Sequence, residues 1–203
     1  MRNAALILSI TYSLLLLATN MGYCEGDIYY ARCNLKVIKG LNITWVNWQS
    51  APTFIPVNTK FKVIKAGDKA SLVDVSIGSK YTLDAGTAGD IFLEKFIVKN
   101  PVLIEKFPPE IQANIQKAVV GIGMTKEQVY IAMGPPVVVK SDRSKSKTNI
   151  MTYEQIMQNN VWVYKKRGTT HWYSWYIYRD GLRKNIGVSF QASTGRVNYI
   201  YGN

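Results

Sequence analysis

Between residues 34 and 98 apolar and polar positions alternate in short runs, which is the period of half-buried strands. The runs fall at 34–38, 44–48, 60–64, 71–75, 79–83 and 91–98, and in the third Phe61 and Val63 face opposite to Lys60 and Lys62. Lys39-Gly40, Ala66-Gly67-Asp68, Ile77-Gly78 and Gly86-Thr87-Ala88-Gly89-Asp90 punctuate them as turns. Five or six strands over about 65 residues predict a small, partly closed β-barrel spanning residues 30–100. Asn100-Pro101 ends it, because a proline disfavours helix at the residue before it.

The period then changes. Pro108-Pro109-Glu110 opens a helix, and Ile111, Ile115, Ala118, Val119 and Ile122 follow at the spacing of one apolar helical face. Gly121 and Gly123 close that segment. Thr125-Lys126-Glu127-Gln128 then has the capping-box form, with Met124 placed to staple onto Val129. The second helix runs to Met133, where Gly134 and Pro135-Pro136 stop it.

Beyond this lies the run Lys140-Ser141-Asp142-Arg143-Ser144-Lys145-Ser146-Lys147, too polar to bury a core and expected as a mobile basic loop over residues 140–150. The remainder reads as strands at 161–166, 172–179, 185–191 and 196–201, turned by Asp180-Gly181 and Ser193-Thr194-Gly195. Two helices followed by an antiparallel meander predict an α+β layer.

The first residues have a different design. Arg2 precedes an apolar run from Ala4 to Ala18, and small and polar residues follow, the order of a secretory signal covering residues 1–24. The run is shorter and more polar than a membrane-spanning helix. Cleavage after Cys24 leaves Cys33 as a single thiol. Cleavage after Ala18 or Gly22 keeps both cysteines and allows a Cys24 to Cys33 disulfide. A third reading takes Met21-Gly22-Tyr23-Cys24 as a lipoprotein site with lipid on Cys24, although Tyr23 is bulky where such sites take a small residue.

Charge matters through its distribution. Of the net +12, residues 140–203 carry 11 basic and 3 acidic side chains. Such a footprint suits nucleic acid, anionic lipid or an acidic protein, or serves solubility alone. Export disfavours nucleic acid. Catalytic signatures are missing from the sequence: it has no His-x-x-x-His, Cys-x-x-Cys, Gly-x-Ser-x-Gly or phosphate loop. The single histidine, His171, is read as structural or exposed, and no cofactor or metal is expected.

The strongest hint of a binding surface is His171-Trp172-Tyr173-Ser174-Trp175-Tyr176-Ile177-Tyr178-Arg179, with rings at alternating and adjacent positions. One side of such a strand would face the core. The other would present Trp172, Tyr176 and Tyr178 among Lys165, Lys166, Arg167, Arg179, Arg183 and Lys184, a composition suited to a protein interface or to lipid headgroups.

Gly123-Met124-Thr125-Lys126-Glu127-Gln128-Val129, Met133-Gly134-Pro135-Pro136, Val161-Trp162-Val163-Tyr164, Val188-Ser189-Phe190 and Thr194-Gly195-Arg196-Val197 together resemble the SmpA/OmlA (BamE-like) outer-membrane assembly lipoproteins over about residues 108–201. The family pattern has short turns between strands, so residues 168–183 stand out as an inserted aromatic hairpin. Residues 30–100 resemble SH3-like barrels at the level of fold.

The expected fold class is therefore α+β, an SH3-like barrel followed by a BamE-like helix-helix-antiparallel-sheet domain at 108–203. The resemblance implies a non-enzymatic, protein-binding scaffold or outer-membrane assembly factor in the periplasm or on the periplasmic face of the outer membrane. Its partner would be an envelope protein; the alternatives are a module that binds peptidoglycan or anionic lipid and, least favoured, an envelope hydrolase.

Overall fold

The structure is a computed structural model that describes residues 26–202, except 39, 48, 50, 52, 67–68, 85–92, 142–143 and 167–184, and the side chains of residues 66, 141 and 144. The expected signal at 1–24, Cys24 and the aromatic hairpin with His171 lie outside the described residues.

Eight short strands come first: β1 (Asp27–Ala31), β2 (Leu35–Val37), β3 (Asn42–Thr44), β4 (Thr53–Ile55), β5 (Lys60–Ala66), β6 (Lys69–Asp74), β7 (Lys80–Asp84) and β8 (Ile97–Val98). Six of them form a curved sheet in the order β3-β7-β6-β5-β1-β8, while β2 and β4 pair separately. Alternation is clearest in β6, where Ala70, Leu72 and Asp74 are buried and their neighbours face outward.

Helices α1 (Pro109–Gln116) and α2 (Lys126–Met133) follow, then β9 (Val138–Ser141), β10 (Ser144–Lys147), helix α3 (Tyr153–Met157), β11 (Val161–Lys165), β12 (Asn185–Phe190) and β13 (Val197–Tyr201). The last five strands make an antiparallel sheet in the order β10-β9-β11-β12-β13.

This corrects the expected α+β class. The described residues are mostly β, 41% strand against 20% helix, with one half-barrel, and the BamE-like helix-helix-sheet domain is not shown. Three physical reasons account for it. First, α1 ends at Gln116, because Ala118 turns into the left-handed region at φ 54°. The expected apolar face is cut in two: Ile115 and Ala118 are buried, whereas Val119 and Ile122 are 43% and 64% exposed. Second, the basic run expected as a loop pairs as β9 and β10, with Lys145 opposite Lys140 and Lys147 opposite Val138. Third, the first sheet makes only one half-barrel, with the two-residue β8 and the three-residue β3 as its edges among the described residues.

Smaller differences have local causes. The run expected at 44–48 is a strand only over Asn42–Thr44, and Asn47 then bends the chain at φ 46°. Helix α3 was hidden in polar sequence, although Thr152 and Gln155 form a capping box of the same type as that of α2.

The box at α2 forms as its sequence predicts. Thr125 Oγ1 accepts from the Gln128 amide at 3.3 Å, and Gln128 Oε1 accepts from the Thr125 amide at 2.9 Å. Replacing Thr125 by alanine should cost about 1 kcal/mol, read as a lower urea midpoint with an unchanged slope.

One apolar cluster runs from Ala31 through Leu72, Phe96, Val129 and Trp162 to Val197, so both sheets and the helices share a core. Trp162 lies at its centre, 4.7 Å from Phe190 and 6.1 Å from Tyr130 between ring centroids, and its indole donates to the carbonyls of Ile156 and Asn159 at the end of α3.

The C-terminal end of α2 is held by the N-terminal part of the chain. A helix leaves its last four carbonyls without partners of its own. Here Tyr130 O accepts from the Gly134 amide, Ile131 O from the Asn34 amide, Ala132 O from Asn34 Nδ2, and Met133 O from Asn47 Nδ2 and Gln49 Nε2. Gly134, at φ 78°, lies so close to Asn47 that a side chain there would overlap its amide.

Candidate functional site

The five-stranded sheet has two unlike faces, set by the alternation of its strands. Val139, Trp162, Tyr164, Val188 and Phe190 point into the core. Register places Lys145, Lys140, Val161, Ser189 and Tyr199 in one row across the opposite, outer face, with Lys147, Val138, Val163, Gly187 and Tyr201 in the next. Lys165 lies one step further along β11 on the same face and is exposed.

The outer face therefore has a basic side and an aromatic side. Lys140, Lys145, Lys147 and Lys165 project from β9, β10 and β11. Tyr199 and Tyr201 stack on β13, with centroids 6.1 Å apart and an interplanar angle of 21°. Tyr201 can lie flat because Gly187 opposite it has no side chain; a Cβ there would run into the ring. None of the residues in these five strands is acidic.

Stability does not explain this arrangement. Lys145 directly opposite Lys140 places like charges across a ladder, which is unfavourable by some tenths of a kcal/mol. Lysines on an edge strand do block edge-to-edge pairing, and that covers Lys145 and Lys147 on β10. It does not cover Lys140 and Lys165, which occupy interior strands. An aromatic and cationic face whose strand residues include no acid can bury its rings against a partner and attract a negative one.

Of the residues singled out in the sequence, the described structure places Lys165 on this face and Lys166 just past the end of β11. Arg167, Trp172, Tyr176, Tyr178, Arg179 and Arg183 lie outside the described residues. Sequence reasoning missed Lys140, Lys145, Lys147, Tyr199 and Tyr201 as members of one surface. The signal was the period-two spacing of Lys145-Ser146-Lys147 and Tyr199-Ile200-Tyr201.

Cys33 has no disulfide partner among the described residues and is wholly buried; burial pushes its thiol up to about 12, so as a thiol it is a poor nucleophile at neutral pH. Among the described residues no three His, Cys, Asp or Glu side chains gather into a metal site, and no helix is long and apolar enough to cross a membrane. In comparisons with known proteins, no family model, curated protein or solved structure matches this chain.

Proposed function

We propose that the chain is a non-enzymatic scaffold of the cell envelope that binds an acidic partner protein through the outer face of the five-stranded sheet. The observation that carries the reading is the face whose strand residues include no acid, with outward lysines on one side and a stacked tyrosine pair on the other. Tyrosine supplies contact area at low entropic cost, and the lysines speed encounter with a negative surface. The envelope part of the reading rests on the signal-like order of residues 1–24.

A photocrosslinker in place of Tyr199 in intact cells should capture an envelope protein, and the yield should fall several-fold in the Lys145→Gln/Lys147→Gln double variant. Labelling that is absent, or indifferent to both substitutions, would count against the proposal. The lysine row also favours a second reading, attachment to an anionic lipid surface. Under it the wild type cosediments with phosphatidylglycerol vesicles at low salt and is released at high salt, and the double variant binds several-fold less.

A further inference from the structure

A second feature lies where the first sheet meets the helices, apart from the outer face. A groove of about 550 Å³ runs between the segment that follows β8 and helices α2 and α3. Val98, Val102, Leu103 and Phe107 give it apolar walls, and Arg32 stands in it with Lys106 and Glu127.

The wall is built in advance. Asn58 Nδ2 donates to Val102 O at 2.7 Å, and Asn58 Oδ1 accepts from the Val102 amide at 2.7 Å, so the segment after β8 is clamped on both its groups. Gln112 of α1 donates to Phe107 O at 2.8 Å and fixes the next stretch. Tyr153 is set edge-on to Tyr130, with centroids 4.9 Å apart, and the Arg32 guanidinium lies 4.2 Å above the Tyr153 ring.

Charge distinguishes Arg32 from its neighbour. Lys99, also in the wall, is paired with Asp27 at 2.9 Å and lies over the Tyr29 ring. Arg32 has no carboxylate within ion-pair distance among the described residues, and its buried Nε has no hydrogen-bond acceptor. A guanidinium stacked on a ring keeps its planar fork oriented and presents it to a carboxylate, the pairing that this geometry fits best.

We infer that the groove binds an extended acidic peptide segment, with a carboxylate on Arg32 and apolar side chains against Val102, Leu103 and Phe107. Lys106 adds positive charge, and Glu127 opposes it. The inference does not depend on the outer sheet face, which belongs to different strands.

The test is fluorescence anisotropy with a fluorescein-labelled decapeptide of alternating glutamate and leucine, and with its glutamine counterpart. The glutamate peptide should bind saturably and the glutamine peptide at least tenfold more weakly. Arg32→Gln should weaken the glutamate peptide at least tenfold, with folding checked by circular dichroism. Glu127→Gln, at an exposed position, should tighten it. If Arg32→Gln loses its fold, Lys106→Gln at the rim takes its place and should weaken binding several-fold. Three results would each overturn the inference: no saturable binding, equal binding of the two peptides, or binding that ignores these groove variants and is lost in Lys145→Gln/Lys147→Gln.

Discussion

Replacing Asn34 by alanine should destabilise the protein by about 3–5 kcal/mol, enough to leave it largely unfolded at physiological temperature if its stability is ordinary. Asn34 is 1% exposed, and its side chain binds three backbone groups far apart in sequence. Nδ2 donates to Ile115 O at 2.6 Å and to Ala132 O at 3.0 Å, and Oδ1 accepts from the Val57 amide at 3.0 Å. Truncation leaves the Ala132 carbonyl and the Val57 amide buried without their Asn34 partner, leaves Ile115 O with only the Ala118 amide, and opens a void among the three. Leucine in its place would fill the volume and satisfy none of them, so Asn34→Leu should fare no better. Urea unfolding reads the result; a loss below about 1 kcal/mol would mean that water replaces the amide without difficulty.

The second large effect is a dependence on pH. Lys95 is only 2% exposed, yet its Nζ donates to Thr148 O at 2.8 Å and its carbonyl accepts from the Tyr130 hydroxyl at 3.0 Å. Burial pushes its ammonium from 10.5 down to about 8. Between these values the unfolded chain holds more protons than the folded one, so stability should rise with pH above about 8 and be flat, for this group, below it. The full shift is worth about 3 kcal/mol, of which about 2 kcal/mol should appear by about pH 9.5.

Above pH 10 the sign reverses, because burial raises Tyr130 and Tyr164 well above the ordinary tyrosine value and the unfolded chain then loses protons first. Lys36 is also lowered by burial, so the wild-type slope is not that of Lys95 alone. Lys95→Met isolates it. Urea midpoints at pH 7.5 and 9.5 should differ by much less in the variant than in the wild type, and equal differences would remove Lys95 from the account.

The parts of the fold legible in the sequence are those fixed by neighbours in the chain. Thr125 and Gln128 cap α2 because both bonds close within one helical turn, and Gly134 ends it because a glycine accepts φ 78° without strain. The alternation of Phe61 and Val63 against Lys60 and Lys62 placed β5 correctly within two residues. Helix α1 was overextended, because apolar spacing at 118–122 continued while the backbone turned at Ala118. The basic run at 140–147 read as loop, because it lacks apolar residues; as β10 it occupies an edge, where a strand needs none.

The candidate surface shows the same division. Lys165 was visible as one of a basic cluster, but its companions were not, because register alone brings residues 140, 145 and 199 into one row. The sequence by itself determined the start of α1, both ends of α2, the alternation of β5, the surplus of positive charge and the signal-like order of the first residues. Only the tertiary structure decided that Asn34 and Asn47 close the end of α2, that Lys95 is buried, and that Arg32 lies over the Tyr153 ring in the groove. The physical reason is range. Caps and alternation are satisfied within a few residues, whereas a buried amide, a buried ammonium and a stacked guanidinium take their partners from segments that only packing brings together.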